Sequence, residues 1–313
     1  VLKDPLLRDN PSATARLDRG SAPGPSPQIW RYNRNWPDVF EAARGIRAVV
    51  DEFPDRMVIG EVFGSAETLA AYYGGAALDG LHLAFNFGLI GGYVDAHTPL
   101  EVAAVRAVVE EAERGLPRGA WPSYALGNHD QSRLVTRYGR DGRGQERARL
   151  AALLLLTLRG TPFVYYGDEI GMADVTIPPE RAQDPARFRH RDRDPERTPM
   201  QWDDFPGAGF TTGKPWLPIG DTAINVAAQD GDPVSLLNLY RRLIWLRRRS
   251  PALHEGSYQT LTGTPEGVYG YERRFGDDRA AVYLNLSSGR VHAALPPAFR
   301  RSTVRCSTSP QRD

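Results

Sequence analysis

The sequence predicts an α/β fold built on a parallel sheet, followed by a small antiparallel β module. Between residues 38 and 249, short apolar runs typical of buried strands alternate with longer segments of helical spacing. This alternation is the pattern of parallel strands joined by crossover helices. After Pro251 the chain changes to apolar runs separated by Gly-Asp-Asp and Ser-Ser-Gly turns, which is typical of antiparallel strands.

The elements follow in order along the chain. The first 37 residues are rich in proline, serine, asparagine and arginine and predict a long irregular segment, which inside a domain is usually functional. Asp38 is predicted to cap a first helix that Pro54 ends. Four strands are predicted near residues 57–62, 81–86, 124–126 and 161–166, with helices near 65–73, 102–112, 145–158 and 234–249.

We expect the four strands to be parallel neighbours in chain order, because right-handed crossovers join such strands. Two further strands, near residues 268–273 and 280–286, form the antiparallel module. The predicted organisation is therefore one domain over residues 1–251 and a second, incomplete β domain over residues 252–313.

Composition limits the classes of function. The 39 basic residues balance 38 acidic ones, and all but two of the basic residues are arginine. Because no long basic block accompanies this balance, we expect no nucleic-acid partner. No apolar run approaches the roughly 18 residues of a membrane span, and we expect a cytoplasmic protein without a membrane partner. A single cysteine, Cys306, offers neither a disulfide framework nor a thiolate metal cluster.

Polar residues stand directly after three of the predicted strands. They are Glu61, the run Asn128-His129-Asp130, and the pair Asp168-Glu169. The carboxyl ends of the strands form the catalytic face of a (β/α)₈ barrel, and they also form the ligand edge of an open doubly wound sheet. Periodicity alone leaves both architectures open.

Glu61 and Asp130 are the two candidate catalytic carboxylates. A carboxylate pair suits glycosidic cleavage, since one acid protonates the leaving oxygen while negative charge stabilises an oxocarbenium-like transition state. The alternative is that each carboxylate caps the following helix or pairs with an arginine.

Four segments resemble glycoside hydrolase family 13, the α-amylase family, in the order in which the family has them. Residues 59–61 (Ile-Gly-Glu) and 126–130 (Leu-Gly-Asn-His-Asp) resemble two signature regions, and residues 165–172 resemble the segment at the eighth strand. Residues 193–203 with 209–213 are similar to the branch of α-glucosidases and oligo-1,6-glucosidases. The resemblance extends to about Tyr258.

The resemblance implies the C-terminal half of a (β/α)₈ barrel, from the loop after strand 4 through helix 8, and a role for each site residue. Glu61 matches the general acid/base, and Asp130 matches the carboxylate that holds substrate hydroxyls. His129 matches a histidine that hydrogen-bonds the sugar, and Arg197 matches an arginine at the non-reducing end of the same subsite. No cofactor and no metal ligand are implied, and Asp168 and Glu169 are interpreted as structural.

One departure from the family pattern bears on activity. The family's nucleophile is an Asp in a Gly-Phe-Arg-x-Asp segment, and no such segment occurs in this sequence. Because this segment is missing and the far end, residues 306–313, leaves the β module short of strands, we expect truncation at both ends and an inactive fragment. The parent is predicted to be a retaining α-glucosidase acting on α-glucoside disaccharides or oligosaccharides. The alternatives are a glucosyl-transferring relative that forms trehalose or isomaltulose, and a glycosidase-like scaffold without activity.

Overall fold

The computed structural model describes residues 4–11, 31–91, 98–188 and 192–309. The central part of the predicted N-terminal loop, residues 12–30, lies outside them. Contacts divide the chain into two compact units, one formed by Val1–Ala96 with Val108–Ser123, the other by His97–Ala107 with Tyr124–Asp313. The predicted domain boundary at residues 251 and 252 lies inside the second unit and stays a prediction.

The first unit carries the first pair of predicted strands. Its elements are α1 (Asp38–Asp51), β1 (Ile59–Gly60), α2 (Ala66–Tyr72), β2 (Leu83–Ala84) and, from Val108 on, α3 (Val102–Gly115). Strands β1 and β2 pair in parallel, with Ile59 opposite Leu83, which confirms the first pair of parallel neighbours. Both strands are shorter than the apolar runs that predicted them.

Helices α1 and α2 begin differently. Ser65 caps α2 by accepting a hydrogen bond from the Thr68 amide at 3.3 Å. The predicted cap at Asp38 is wrong, because Pro37 occupies the cap position and Asp38 is the first helical residue. An acidic side chain there still interacts favourably with the helix dipole.

The core of the first unit packs tightly against β1. Its buried members are Ala43, Val62, Leu69, Tyr73, Leu81, Ala84 and Ala120. A Cβ on Gly60 would lie 2.3 Å from Leu81 Cδ1, so a larger residue before Glu61 would force the buried Leu81 side chain to shift.

The second unit contains the remaining elements of the alternating region. They are β3 (Ser123–Ala125, from Tyr124 on), α4 (Leu134–Tyr138), α5 (Gly144–Thr157), β4 (Thr161–Phe163), α6 (Val226–Asp230), α7 (Leu236–Arg249) and α8 (Pro251–His254). Strand β3 pairs with β4. A continuous order of all four strands stays a prediction. Single turns of 3₁₀ helix occupy Gly75–Ala77 in the first unit, and Asp168–Ile170, Pro179–Arg181, Pro185–Phe188, Asp194–Glu196 and Pro297–Phe299 in the second.

Helices α5 and α7 pack against each other through small and large apolar side chains. The buried cluster contains Ala148, Ala152, Leu156, Leu236, Leu239, Tyr240 and Leu243. Alanines on α5 opposite leucines on α7 allow close approach of the two helices, and burial of each leucine contributes about 1.5–3 kcal/mol.

The predicted antiparallel module is confirmed, and its sheet has a third strand that was not predicted. It contains β5 (Ser257–Thr260), β6 (Val268–Phe275) and β7 (Asp278–Asn285), in that order. Phe275 lies opposite Asp278 across a two-residue turn. Gly276 in this turn has a φ of +57°, the positive value that tight hairpin loops require.

Two buried arginines satisfy the carboxyl end of α5. Arg247 on α7 donates to the carbonyl oxygens of Leu156 (3.0 Å), Leu158 (2.8 Å) and Gly160. Arg273 on β6 donates to the Thr157 carbonyl at 2.6 Å and to that of Gly256 at 2.9 Å. The last carbonyls of a helix have no partner within the helix, so these arginines replace the missing donors and join β6 to α5.

Within the described ranges, no helix has the length and apolar character needed to cross a bilayer.

Candidate active site

The loop after β3 carries two of the predicted site residues on a fixed backbone. The Asn128 side-chain oxygen accepts a hydrogen bond from the Asp130 amide at 3.0 Å, which closes a tight turn of the Asx type. Arg137 donates to the carbonyl oxygens of Leu126, before the turn, and of Ser132, after it. The loop is therefore held at both ends by one guanidinium group.

Asp130 lies at the centre of a cluster of cationic side chains. Its Oδ1 accepts from Arg197 Nη2 at 2.6 Å and from Arg193 Nη1 at 2.9 Å, and it lies 3.6 Å from His129 Nε2. Arg197 Nε also donates to the His129 carbonyl at 2.7 Å. The structure thus brings together three of the four predicted site residues, His129, Asp130 and Arg197.

Two members of this cluster were missed by the sequence analysis. Arg193 donates through Nε and Nη2 to the two carboxylate oxygens of Asp184, at 2.7 and 2.9 Å. The hydrogen bond to Asp184 and the charge of Asp130 raise the pKa of Arg193. Arg193 lies in the segment 193–203, whose resemblance to the family gave this residue no role of its own. No sequence pattern points to Asp184.

Two tyrosines that follow β4 hold the segment bearing both arginines. The Tyr165 hydroxyl donates to the Glu196 carbonyl at 3.2 Å, and the Tyr166 hydroxyl donates to that of Thr198 at 2.7 Å. The buried guanidinium of Arg133 lies over both rings, 5.1 and 4.8 Å from their centroids, a favourable cation–π arrangement. The end of β4 therefore positions the residues around Arg197.

Asp168 is buried directly behind the loop after β3. A Cβ on Gly127 would lie 2.7 Å from Asp168 Oδ2, so a larger residue at 127 would force the buried Asp168 carboxyl group to shift. Burial raises the pKa of Asp168 to about 7, although the charges of Arg133 and Arg137 oppose the shift. Burial also raises the pKa of Glu169. Asp168 is buried and Glu169 is partly buried, and their structural role stays a prediction.

Glu61, the fourth predicted residue, belongs to the first unit. It follows β1 directly, its side chain is exposed, and the next residue, Val62, is buried in the core. The Phe85 amide donates to the Gly60 carbonyl at 2.9 Å, which fixes the backbone before Glu61. The predicted convergence of Glu61 and Asp130 on one cleft stays a prediction.

In the part of the chain that the structure describes, no group of three or more His, Cys, Asp or Glu side chains is placed to hold a metal ion.

Comparison with known proteins identifies the family. The model of the α-amylase catalytic domain matches residues 13–256. The chain belongs to the α-amylase family. The resemblance carried by the four sequence segments is thereby confirmed.

Two curated relatives refine the position within the α-amylase family. The chain is 35% identical over 308 residues to a probable alpha-glucosidase of Rhizobium meliloti strain 1021, covering 94% of this chain and 54% of the relative. It is 32% identical over 297 residues to an oligo-1,6-glucosidase of Parageobacillus thermoglucosidasius, covering 85% of this chain and 53% of the relative. The chain therefore spans about half the length of these relatives.

A solved structure confirms the fold class. The alpha-glucosyl transfer enzyme XgtA superposes with a TM-score of 0.82 at 31% identity, over 94% of this chain and 55% of XgtA. The chain has the α/β fold of the later part of an α-amylase (β/α)₈ catalytic domain, with the small antiparallel sheet β5–β7 at its end.

Proposed function

We propose that the whole protein is a retaining α-glucosidase that cleaves terminal α-glucosidic bonds of disaccharides or oligosaccharides. In this proposal Glu61 is the general acid/base, and Asp130, His129 and Arg197 bind the terminal glucose. The proposal draws on the family membership, on the named relatives, and above all on the bond of Arg197 to Asp130 and the His129 backbone.

The arrangement around Asp130 supports sugar recognition. Its carboxylate is 30% exposed and the His129 ring is 60% exposed, so both can meet a ligand from solvent. Charge-assisted hydrogen bonds from two guanidinium groups hold the carboxylate in one place. A preorganised carboxylate can bind sugar hydroxyls and stabilise the positive charge that develops on the sugar ring.

The reaction we propose has two steps. A carboxylate outside this chain attacks the anomeric carbon, the glycosidic C–O bond breaks, and the Glu61 proton passes to the leaving oxygen. Glu61, now a carboxylate, then takes a proton from water while the water oxygen attacks the anomeric carbon and releases the nucleophile. Because this chain has no Gly-Phe-Arg-x-Asp segment, we propose that it is inactive without the part of the protein that carries the nucleophile.

The stereochemistry of the product tests this proposal. Proton NMR during hydrolysis of maltose or isomaltose by the whole protein should show α-glucose as the first anomer, with β-glucose following by mutarotation. If β-glucose forms first, the retaining mechanism is wrong. If no glucoside is cleaved, the inactive scaffold is the correct alternative.

A second candidate is transfer of the glucosyl unit to a sugar acceptor. It is favoured by the similarity to XgtA, which is described as an alpha-glucosyl transfer enzyme. Both functions share the first step and differ in whether water or a sugar hydroxyl attacks the glycosyl-enzyme. The ratio of free glucose to new disaccharide, measured at increasing acceptor concentration, separates them.

A further inference from the structure

Arg193 connects a buried carboxylate to an exposed one. Its Nε and Nη2 bind Asp184, whose side chain is 1% exposed, while its Nη1 binds Asp130, which is 30% exposed. The Arg193 backbone amide also donates to Asp184 Oδ2 at 3.1 Å. One planar guanidinium group thus lies between two aspartates.

Asp184 is a rigid anchor for this guanidinium group. It accepts three hydrogen bonds from Arg193, and its own amide donates to Asp194 Oδ2 at 2.9 Å. Asp194 is itself 1% exposed. A bidentate pair with a buried carboxylate leaves the arginine little rotational freedom, so the direction of Nη1 is set by Asp184.

The bond from Arg193 to Asp130 is not needed for the ion pair with Asp184. The Nε–Nη2 edge of the guanidinium already occupies both oxygens of Asp184. The remaining nitrogen, Nη1, donates to the partly exposed carboxylate of Asp130 in the candidate site. A purely structural pair would hold Asp184 without this second contact.

We propose that Arg193 is a positioning residue. Asp184 fixes the guanidinium group of Arg193, and this group in turn holds the carboxylate of Asp130 in place. The inference rests on the proposed function, in which Asp130 must stand where it can stabilise the transition state. Arg197 binds Oδ1 of Asp130 through Nη2 at 2.6 Å, and Arg193 binds the same oxygen through Nη1 at 2.9 Å. Displacement of a catalytic group by about 1 Å can cost about 100-fold in rate.

The test uses four variants of the whole protein: Arg193→Gln, Arg193→Lys, Asp184→Asn and the double variant of Arg193→Gln with Asp184→Asn. We expect Arg193→Gln to lower kcat for maltose by about 10–100-fold, with KM changed less than about 3-fold, because the lost positioning acts on the transition state. Arg193→Lys should recover only a small part of kcat, since an ammonium group cannot bind two carboxylates in fixed directions.

The double variant tests the path through Asp184. If Asp184 acts on Asp130 only through Arg193, adding Asp184→Asn to Arg193→Gln should lower kcat by less than about 2-fold. The matched control is Arg147→Gln, which removes another bidentate pair of the same unit, Arg147 with Asp141 at 2.6 and 2.7 Å. This control should keep kcat unchanged.

Two readouts separate positioning from a general loss of folding and from failure of the proposed function. Crystal structures of wild type and Arg193→Lys should show the Asp130 carboxylate displaced in the variant, and calorimetry with 1-deoxynojirimycin should show weaker binding. A wild type that neither cleaves maltose nor binds 1-deoxynojirimycin overturns the proposed function, and the position of Asp130 in the crystals still decides the role of Arg193. An unmoved Asp130, or kcat losses that add in the double variant, overturns the positioning role.

Discussion

Arg197 and Asp130 are joined by a hydrogen bond of 2.6 Å between Nη2 and Oδ1, and the same guanidinium binds the backbone carbonyl of His129 at 2.7 Å through Nε. One side chain therefore fixes both a carboxylate and the backbone of the residue before it. The two donors lie on one planar edge, so the spacing between the Asp130 carboxylate and the His129 carbonyl is set by the guanidinium group.

Replacement of Arg197 by lysine tests this relationship. Lysine keeps the positive charge but cannot donate along two fixed directions, so one bond is lost. A hydrogen bond to a charged group contributes about 1.5–3 kcal/mol, and we expect kcat/KM for maltose in the whole protein to fall about 10–100-fold. The control is Arg181→Lys, because Arg181 donates to the Pro215 carbonyl and does not bind Asp130. Equal losses in both variants would remove Arg197 from the site.

Much of this fold could be predicted because the long helices have recognisable apolar patterns: α7 is amphipathic, and α5 is strongly apolar and largely buried. Helices α5 and α7 lie within one or two residues of their predicted bounds, and strands β6 and β7 are also in place. The short helices α4, α6 and α8 have four or five residues each. That is too few to show a 3.6-residue period, and they were missed.

Residues of the candidate site could be predicted only where they belong to a recognisable sequence motif. Asp130, His129 and Arg197 stand in recognisable segments, and the structure brings them together. Asp184 is connected to the site through Arg193, nine residues along the chain and across a loop. Contacts of this kind depend on loop conformation, for which the sequence shows no periodic pattern.

The buried carboxyl group of Asp168 predicts a pH-dependent stability. Its pKa of about 7 lies above the ordinary value of 3.8 because burial disfavours the charged form. Between these values the folded state keeps a proton that the unfolded state has lost. The contribution of Asp168 to the free energy of unfolding should therefore be highest below about pH 4 and fall as the pH rises through 7.

Urea unfolding of the whole protein at several pH values measures this effect. From pH 5 to pH 7, wild type should lose about 1 kcal/mol per pH unit relative to Asp168→Asn, which cannot titrate at this position. Above about pH 8 the difference should become constant. Parallel stability curves over the whole range would show that Asp168 is ionised throughout.

Replacement of Arg247 should lower the stability of the fold without removing any residue of the candidate site. Arg247→Met removes the donors for the carbonyls of Leu156, Leu158 and Gly160. Unsatisfied buried polar groups cost about 1–3 kcal/mol each, while removal of a buried cation offsets part of this cost. We expect the free energy of unfolding to fall by about 2–4 kcal/mol in urea titrations.

The neighbouring Arg248 gives the matched control for this change. Its guanidinium lies 5.0 Å from the ring centroid of the half-exposed Trp245, and surface contacts of this kind are worth about 0.5–1 kcal/mol. Arg248→Met should therefore change stability by less than about 1 kcal/mol. Equal losses in the two variants would contradict the capping role of Arg247.

The most direct test of the central claim is the response of two substrates to Glu61→Gln in the whole protein. General acid catalysis contributes about 10²–10⁴-fold, so turnover of maltose should fall by that factor. Nitrophenyl α-glucoside has a leaving group that needs little protonation, and its first-turnover burst should lose much less. The account predicts this difference between the two substrates. Equal losses for maltose and for the nitrophenyl burst would contradict the assignment of Glu61 as the acid.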